Sequence, residues 1–339
     1  MRSVLEYQSP ILSTTSETNR SKIDKVQHQA LRFICGGMRT TPTAVCEIDA
    51  NVIPLERRRE QAVLEAVERY RRMPKEHPTR EIVEEWNQKT RIQPCSIMDR
   101  SAALEEIHKL PFEREGIPIV GDPPYTSYHH PKINKHIIEP SINKESNPLI
   151  LKTTTLETID SYPQHITRVF TDGSAFKATI NAGCGVWITY TDGEQVEIAE
   201  PCGEICSNYE AEILAMTFAL HNIRQTFNSN PKKIEDVVIF TDSQSALQAL
   251  DGKTADNKGI LQLMKDIDSL VADFKISITM QWVPGHAGIR DNEKADRLAK
   301  EGARKPQPQR AVSINATKQI IRNNIKLEWM NAWALGKTG

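Results

Sequence analysis

The sequence predicts an α/β fold for residues 166–304, a mixed sheet with helices, preceded by a small helical region and a proline-rich linker. Three observations carry that expectation. Short β-type runs open the stretch after Thr167 and give way to alternating strand and helix patterns, the order that a mixed sheet with helices requires. Apolar residues at spacings of three and four fill the first 75 residues, and 11 of the 19 prolines fall between positions 74 and 163.

Taken in order, residues 1–75 read as a helical region. From Ser21 onward Ile23, Val26, Ala30, Leu31 and Ile34 form one stripe, which stops at Gly36-Gly37. A second helix opens at Pro54, where a missing N–H costs nothing, and carries Val63, Ala66, Val67, Tyr70 and Met73 on one side. Its other side holds Arg57-Arg58-Arg59, either a solvated helix face or a phosphate-contacting one. Residues 76–163 read as a linker with short helices at 80–87 and 98–110. Strings such as GDPPYTSYHHPK are expected to be extended and poorly packed, with His129-His130 a solvated pair rather than metal ligands.

Strands are expected at Arg168–Thr171, Gly183–Thr189, Gln195–Ala199, Asp236–Thr241 and Ile276–Val283, with helices following the third and fourth. The last strand alternates without a break. Ile276, Ile278, Met280 and Trp282 face a core, and Lys275, Ser277, Thr279 and Gln281 make a polar face. KPQPQR then interrupts the pattern, and residues 305–339 read as a truncated helical tail whose Ile321, Ile325, Trp329 and Trp333 have nothing left to pack on.

At 339 residues, 39% hydrophobic and 26% charged, the chain has globular composition, which excludes collagen-like, mucin-like and disulfide-framework classes. No apolar run reaches the roughly 18 residues that span a bilayer, and MRSVLEYQSPILSTTSETNR lacks a basic-then-apolar signal. An intracellular protein with no membrane partner is expected, with cytoplasm and nucleus both open. The six dispersed cysteines, Cys202 and Cys206 included, fit buried free thiols better than a zinc site. The net charge of −1 conceals an asymmetry, because residues 1–75 carry +4 and residues 166–304 carry −6. An acidic half that handles nucleic acid needs metal ions or a basic neighbour to meet phosphates.

Four acids sit at the edges of regular elements. Asp172 follows a strand in TDGS, Glu212 lies in the first turns of the helix SNYEAEILAMTFAL, Asp242 ends an apolar strand in TDSQS, and Asp296 sits on the helix 291–303. Alone, an Asp-Gly after a strand is a turn and an Asp before Ser-Gln-Ser is a helix N-cap. Gathered at one crevice, the four would repel one another unless cations neutralised them. Oxygen-only ligands favour hard metals, so two Mg2+ ions are expected, with Mn2+ as a substitute. A pair of such ions about 4 Å apart can activate a water and clamp an in-line phosphodiester displacement. His286, in the loop after the alternating strand and ten residues before Asp296, reads as a proton shuttle or an aid to metal and product departure.

TDGS at 171–174, the glutamate followed by ILA at 212–215, TDSQ at 241–244 and GHAG…N-E-x-x-D-x-L-A at 285–299 resemble type 1 ribonuclease H, in order and at its intervals. The resemblance covers about residues 166–304. It implies a ribonuclease H-like fold, a five-stranded mixed sheet with helices on both faces, and divalent-metal endonuclease cleavage of the RNA strand of an RNA–DNA hybrid. Under that resemblance Asp172, Glu212, Asp242 and Asp296 are catalytic metal-binding carboxylates and His286 a mobile catalytic histidine. Gly173, Ser174, Asn208 and Gln244 fall where relatives contact the hybrid, several near the 2′-hydroxyls that distinguish RNA from DNA. The basic insertion of many relatives is missing, since DGKTADNKG joins two helices tersely, and weak hybrid binding by residues 160–310 alone is expected.

Residues 22–70 are similar to the thumb-like segment after the palm in non-LTR retrotransposon reverse transcriptases. That resemblance implies the C-terminal portion of such a polyprotein, and the absence of any Tyr/Phe/Ala-x-Asp-Asp string implies no DNA polymerisation. Two competitors stand beside the nuclease: a degenerate domain tethering nucleic acid through its basic helices, and a polynucleotidyl transferase acting on DNA. The complete carboxylate set weighs against the first; the His286 loop and TDSQ weigh against the second.

Overall fold

A computed structural model describes residues 5–86, 96–108, 110, 113–117, 129–142, 145–230, 234, 236–252 and 257–336; Cys95, most of GDPPYTSYHHPK and the middle of DGKTADNKG lie outside them. The chain divides into two compact units, Met1–Ile117 with Val312–Gly339, and Pro118–Ala311.

The first unit holds helices α1 (Ser9–Leu12), α2 (Glu17–Ile34), α3 (Thr43–Asp49), α4 (Leu55–Arg71), α5 (Pro78–Glu85), α6 (Ile97–His108) and the final helix, α12 (Ile314–Ala334). Pro54 caps α4, and Val63, Leu64 and Val67 are fully buried on its apolar stripe. The arginine triplet is engaged in ion pairs, with Arg57 and Arg58 half-buried and Arg59 buried. Arg57 pairs with Glu60 at 2.9 Å and Glu328 at 3.5 Å, Arg58 with Glu6 at 2.9 Å, and Arg59 forks onto Asp24 at 2.7 and 2.9 Å. The pairs to Glu328 and Asp24 join α4 to other helices, that to Glu6 joins it to the turn before α1, and that to Glu60 lies within α4.

The expectation that the last helix has nothing to pack on is corrected. Ile321, Ile325 and Trp329, spaced by four, are buried, and the first two join Leu64 and Leu110 in one cluster. The partner helix lies some 250 residues earlier, a separation that periodicity along the chain cannot reveal. Arg72 ties the junction. Its guanidinium meets Glu68 at 3.3 Å and donates to Thr317 Oγ1 at 2.8 Å and to the Val312 carbonyl.

The second unit is the expected α/β fold with one strand more. Its elements are β1 (Lys132–Asn134), α7 (Pro148–Asp160), β2 (Thr167–Phe176), β3 (Ile180–Thr189), β4 (Gln195–Ile205), α8 (Asn208–Ser229), β5 (Val237–Thr241), α9 (Gln244–Asp251), α10 (Lys258–Phe274), β6 (Ile278–Trp282) and α11 (Arg290–Arg304). The sheet order is β1-β6-β5-β2-β3-β4. β2, β3 and β4 run antiparallel, while β5 and β6 run parallel to β2 and β1 parallel to β6. One core includes Val169, Ile239 and Met280 of the sheet with Met216 and Leu220 of α8 and Leu263 and Ile267 of α10; the other joins Phe170, Trp187 and Phe240 to Leu298 of α11.

Part of the stretch expected to be poorly packed belongs to this unit. β1 extends the sheet, and α7 buries Leu151 and Ile159. α7 escaped detection because three consecutive threonines, poor helix formers, obscure its apolar spacing. Asn147 Oδ1 accepts the Leu149 N–H at 2.9 Å to start the helix, and Thr155 and Thr158 hydroxyls bond back to the carbonyls four residues earlier. The same elements cover the polar face of β6 at Gln281, which is buried. Its Nε2 donates to the His136 carbonyl at 2.9 Å and its Oε1 accepts from Tyr162 at 2.7 Å. Of the cysteines, Cys46, Cys184, Cys202 and Cys206 are buried free thiols, and Cys35 is half-buried.

A candidate acidic metal centre

Parallel register builds the centre of the site. Thr171 of β2 pairs with Thr241, the last residue of β5, so the next residues, Asp172 within β2 and Asp242 just past β5, stand side by side. The sequence placed Asp172 just after its strand, but β2 runs on to Phe176 and pairs Asp172 with Gly185 of β3. An Asp inside a strand is not a turn former. Nor does Asp242 cap a helix, since the N-cap of α9 is Ser243.

Helix α8 delivers the third acid. Ser207 and Glu210 form a capping box, with Ser207 Oγ accepting the Glu210 N–H at 3.2 Å and Glu210 Oε2 accepting the Ser207 N–H at 2.9 Å. That fixes the first turns, where Glu212 projects toward the sheet. Gly173 lets the helix come so close. A Cβ there would strike the backbone at Ala211 and Glu212. One oxygen each from Asp172, Glu212 and Asp242 can be chosen such that all lie within 4.8 Å of one another. Gly285 plays the matching part from the loop after β6, because a Cβ on it would collide with Asp242 Oδ2.

The trio is electrostatically strained. Asp172 is 8% exposed and Glu212 9% exposed. Burial, reinforced by the charges of Asp242 and Asp296, pushes the Asp172 carboxyl up to about 7, and burial with Asp172 and Asp242 alongside holds Glu212 well above the carboxylate range. Asp172 Oδ1 accepts the Gly173 N–H at 2.9 Å, whereas Glu212 Oε2 has no hydrogen-bond partner among the described residues. A buried carboxylate oxygen without a donor, facing two more carboxylates, is a set that ionises fully only beside cations. Hard divalent ions fit these all-oxygen donors.

Asp296 reaches the same cleft from α11 but is not one of the close trio; Lys300 Nζ holds its Oδ2 at 2.6 Å. The cleft is lined by Asp172, Gly173, Ser174, Asn208, Glu212, Asp242, His286 and Asp296, so eight of the nine site residues named from the sequence converge. The ninth, Gln244, is exposed in the first turn of α9 and does not line it. His286 is exposed on its loop with φ of 56°, a left-handed conformation uncommon outside glycine.

Sequence reasoning gave no role to Asn292, Glu293 and Lys300, which also line the cleft. Asn292 is 5% exposed, with its Oδ1 unpartnered among the described residues. Its signal was available, for a residue four before Asp296 on a helix shares that acid's face.

Comparisons with known proteins fall on this unit. Residues 164–304 match the family described as RNase H. The chain is 30% identical over 160 residues to a ribonuclease H of Bradyrhizobium sp. (strain ORS 278), covering 43% of this chain and 96% of that protein. It is 31% identical over 151 residues to a ribonuclease H of Vibrio vulnificus (strain YJ016), covering 41% of this chain and 89% of that protein. Among solved structures, the RNase H1 of the halophilic archaeon Halobacterium salinarum NRC-1 matches at 22% identity and a TM-score of 0.33, over 40% of this chain and 96% of that one.

Proposed function

Through residues 164–304 this chain belongs to the ribonuclease H family, and from that premise we propose that it is an endonuclease hydrolysing the RNA strand of RNA–DNA hybrids with two divalent metal ions. The observation that carries the reading is the trio of acids within 4.8 Å, two of them buried and one with a partnerless oxygen. Asp172, Glu212, Asp242 and Asp296 would hold Mg2+ or Mn2+. When bound, such ions lower the pKa of a water and offset charge on the phosphodiester.

The chain's own groups do the rest. Asp172 and Glu212, buried against the sheet, hold their carboxylates in fixed positions, so little reorganisation is left for the reaction itself. His286, exposed on its loop, carries a proton to the departing 3′ oxygen or takes one at the attacking water. Ser174 and Asn208 offer hydrogen-bonding side chains, and Gly173 a backbone approach, to the minor groove and its 2′-hydroxyls. Gln244 is assigned a contact farther out along the hybrid. Cleavage of a labelled hybrid in magnesium by the full chain and by Asp172→Asn tests the reading. Rapid cleavage by the first and none by the second is expected, and equal activity would discard the site.

The placement in a non-LTR retrotransposon polyprotein is supported by the resemblance of residues 22–70. On that reading residues 1–75 are the thumb-like remnant and the chain does not polymerise DNA. Transcript sequencing checks it, since an upstream reading frame must then carry a palm with paired aspartates. Among the described residues no helix is long and apolar enough to cross a membrane.

A further inference from the structure

Resting on the reading that the cleft takes an RNA–DNA hybrid, we propose that Lys152 of helix α7 binds a backbone phosphate of the substrate at the rim of the site. Helix α7 lies outside the stretch shared with the family, which begins at residue 164.

The charge of the site creates the need. Five carboxylates line the cleft, namely Asp172, Glu212, Asp242, Glu293 and Asp296, and its one lysine or arginine among the described residues is Lys300, already engaged by Asp296 at 2.6 Å. Metal ions offset the acids at the scissile phosphate, but a duplex carries phosphates on both sides of it. Those need cations at the rim, and the domain's net −6 makes them scarce.

Lys152 is placed to serve. Its Nζ, Cδ and Cε lie 3.3, 3.6 and 3.6 Å from where a Cβ on Gly288 would stand, so the stem runs along the loop that carries His286 two residues earlier. Glycine at 288, with φ of +72°, leaves the space the lysine stem uses. Among the described residues the ammonium has no carboxylate or carbonyl partner, and the side chain is exposed. The helix beneath it is fixed, with Leu151 and Thr155 buried on either side of position 152. A lysine stem held against a loop, with its charge unspent and facing solvent, is a phosphate contact in waiting.

The test is hybrid binding by the full chain with Ca2+ in place of Mg2+, read by fluorescence anisotropy across a salt titration. Lys152→Ala is expected to weaken binding about five- to tenfold at low salt and to reduce the slope of log K against log salt by about one, with Lys152→Arg restoring both. A merely structural role would not move that slope, and melting temperature is expected to be unchanged. Equal affinity and slope in Lys152→Ala, or no hybrid binding by the unmutated chain, overturns the inference. Binding that depends on Lys152, without cleavage in magnesium, would instead overturn the nuclease reading and leave this contact standing.

Discussion

Asp172 and Asp242 stand side by side because Thr171 and Thr241, one residue before each, are paired in adjacent parallel strands. One rung of the sheet therefore brings together two charges that lie 70 residues apart in sequence.

That juxtaposition sets a pH dependence for the metal-free chain. The Asp172 carboxyl, ordinarily near 4, is pushed up to about 7 by burial first and by neighbouring charges second. Between those values the folded chain keeps the proton and the unfolded chain has lost it, so this group's contribution to stability falls as pH rises from about 4 to 7. In chelator, Asp172→Asn is expected to be more stable than the unmutated chain at pH 8, by about 1–3 kcal/mol in denaturant titrations, and to lose that advantage at pH 4. Magnesium should raise the melting temperature of the unmutated chain at pH 8 and not that of the variant. Melting curves with no response to magnesium would remove the metal centre.

Two glycines of the site should respond differently to one methyl. At Gly173 a Cβ meets the backbone of α8, which cannot yield without moving the helix, and Gly173→Ala is expected to cost about 1–3 kcal/mol in denaturant titrations. At Gly285 the obstacle is Asp242 Oδ2, the end of a side chain. Gly285→Ala is expected to leave stability within about 1 kcal/mol while lowering cleavage at least about tenfold, because the carboxylate must swing aside. Unfolding by Gly285→Ala, or full activity in it, would contradict the assignment.

The contrast between what the sequence disclosed and what it hid has a physical basis. β6 was legible because Ile276, Ile278, Met280 and Trp282 alternate without a break, and the acids because each sits in a short motif, TDGS, EILA, TDSQ or N-E-x-x-D, beside an apolar run. Eight of nine named site residues meet at one cleft for that reason. Gln244 lies outside that cleft because residues two apart on a turn or helix face different ways, so Asp242 in the cleft does not bring Gln244 with it. Asn292 was legible too, four residues before Asp296 on one helix face, but its burial leaves no mark in composition. The pairing of β1 with β6 and of α12 with α4 joins segments separated by more than a hundred residues, and periodicity within a window cannot report on either.

The final helix should therefore matter to the first unit. Ile325 is fully buried with Leu64, and Ile325→Ala is expected to destabilise by about 2–5 kcal/mol. Ending the chain at residue 311 removes more, for Arg72 then loses Thr317 and the Val312 carbonyl and keeps the buried Glu68 and the Glu115 carbonyl. Protease digestion followed by mass spectrometry reads this directly. Faster cutting within residues 55–71 of the shortened chain is expected, and an unchanged pattern would show that α12 does not support α4.

The boundary of the nuclease unit is the remaining test. The family match opens at residue 164, yet Ile159 packs in the core of the second sheet face, and Tyr162 meets the Phe240 ring edge-on at 5.6 Å while its hydroxyl bonds buried Gln281. A fragment beginning at 164 exposes that apolar surface, opens one side of β6 to water and leaves Gln281 without its Tyr162 and His136 partners. A buried amide deprived of its partners costs about 1–3 kcal/mol, and the lost packing of Ile159 and Tyr162 adds to it. Residues 129–311 should accordingly fold with a sharp thermal transition, while residues 164–311 melt at a lower temperature and bind a hydrophobic dye. Matching transitions for the two fragments would mean that β1 and α7 lie on the sheet without supporting it, and Tyr162→Phe in the longer fragment separates the hydroxyl's share from that of the ring.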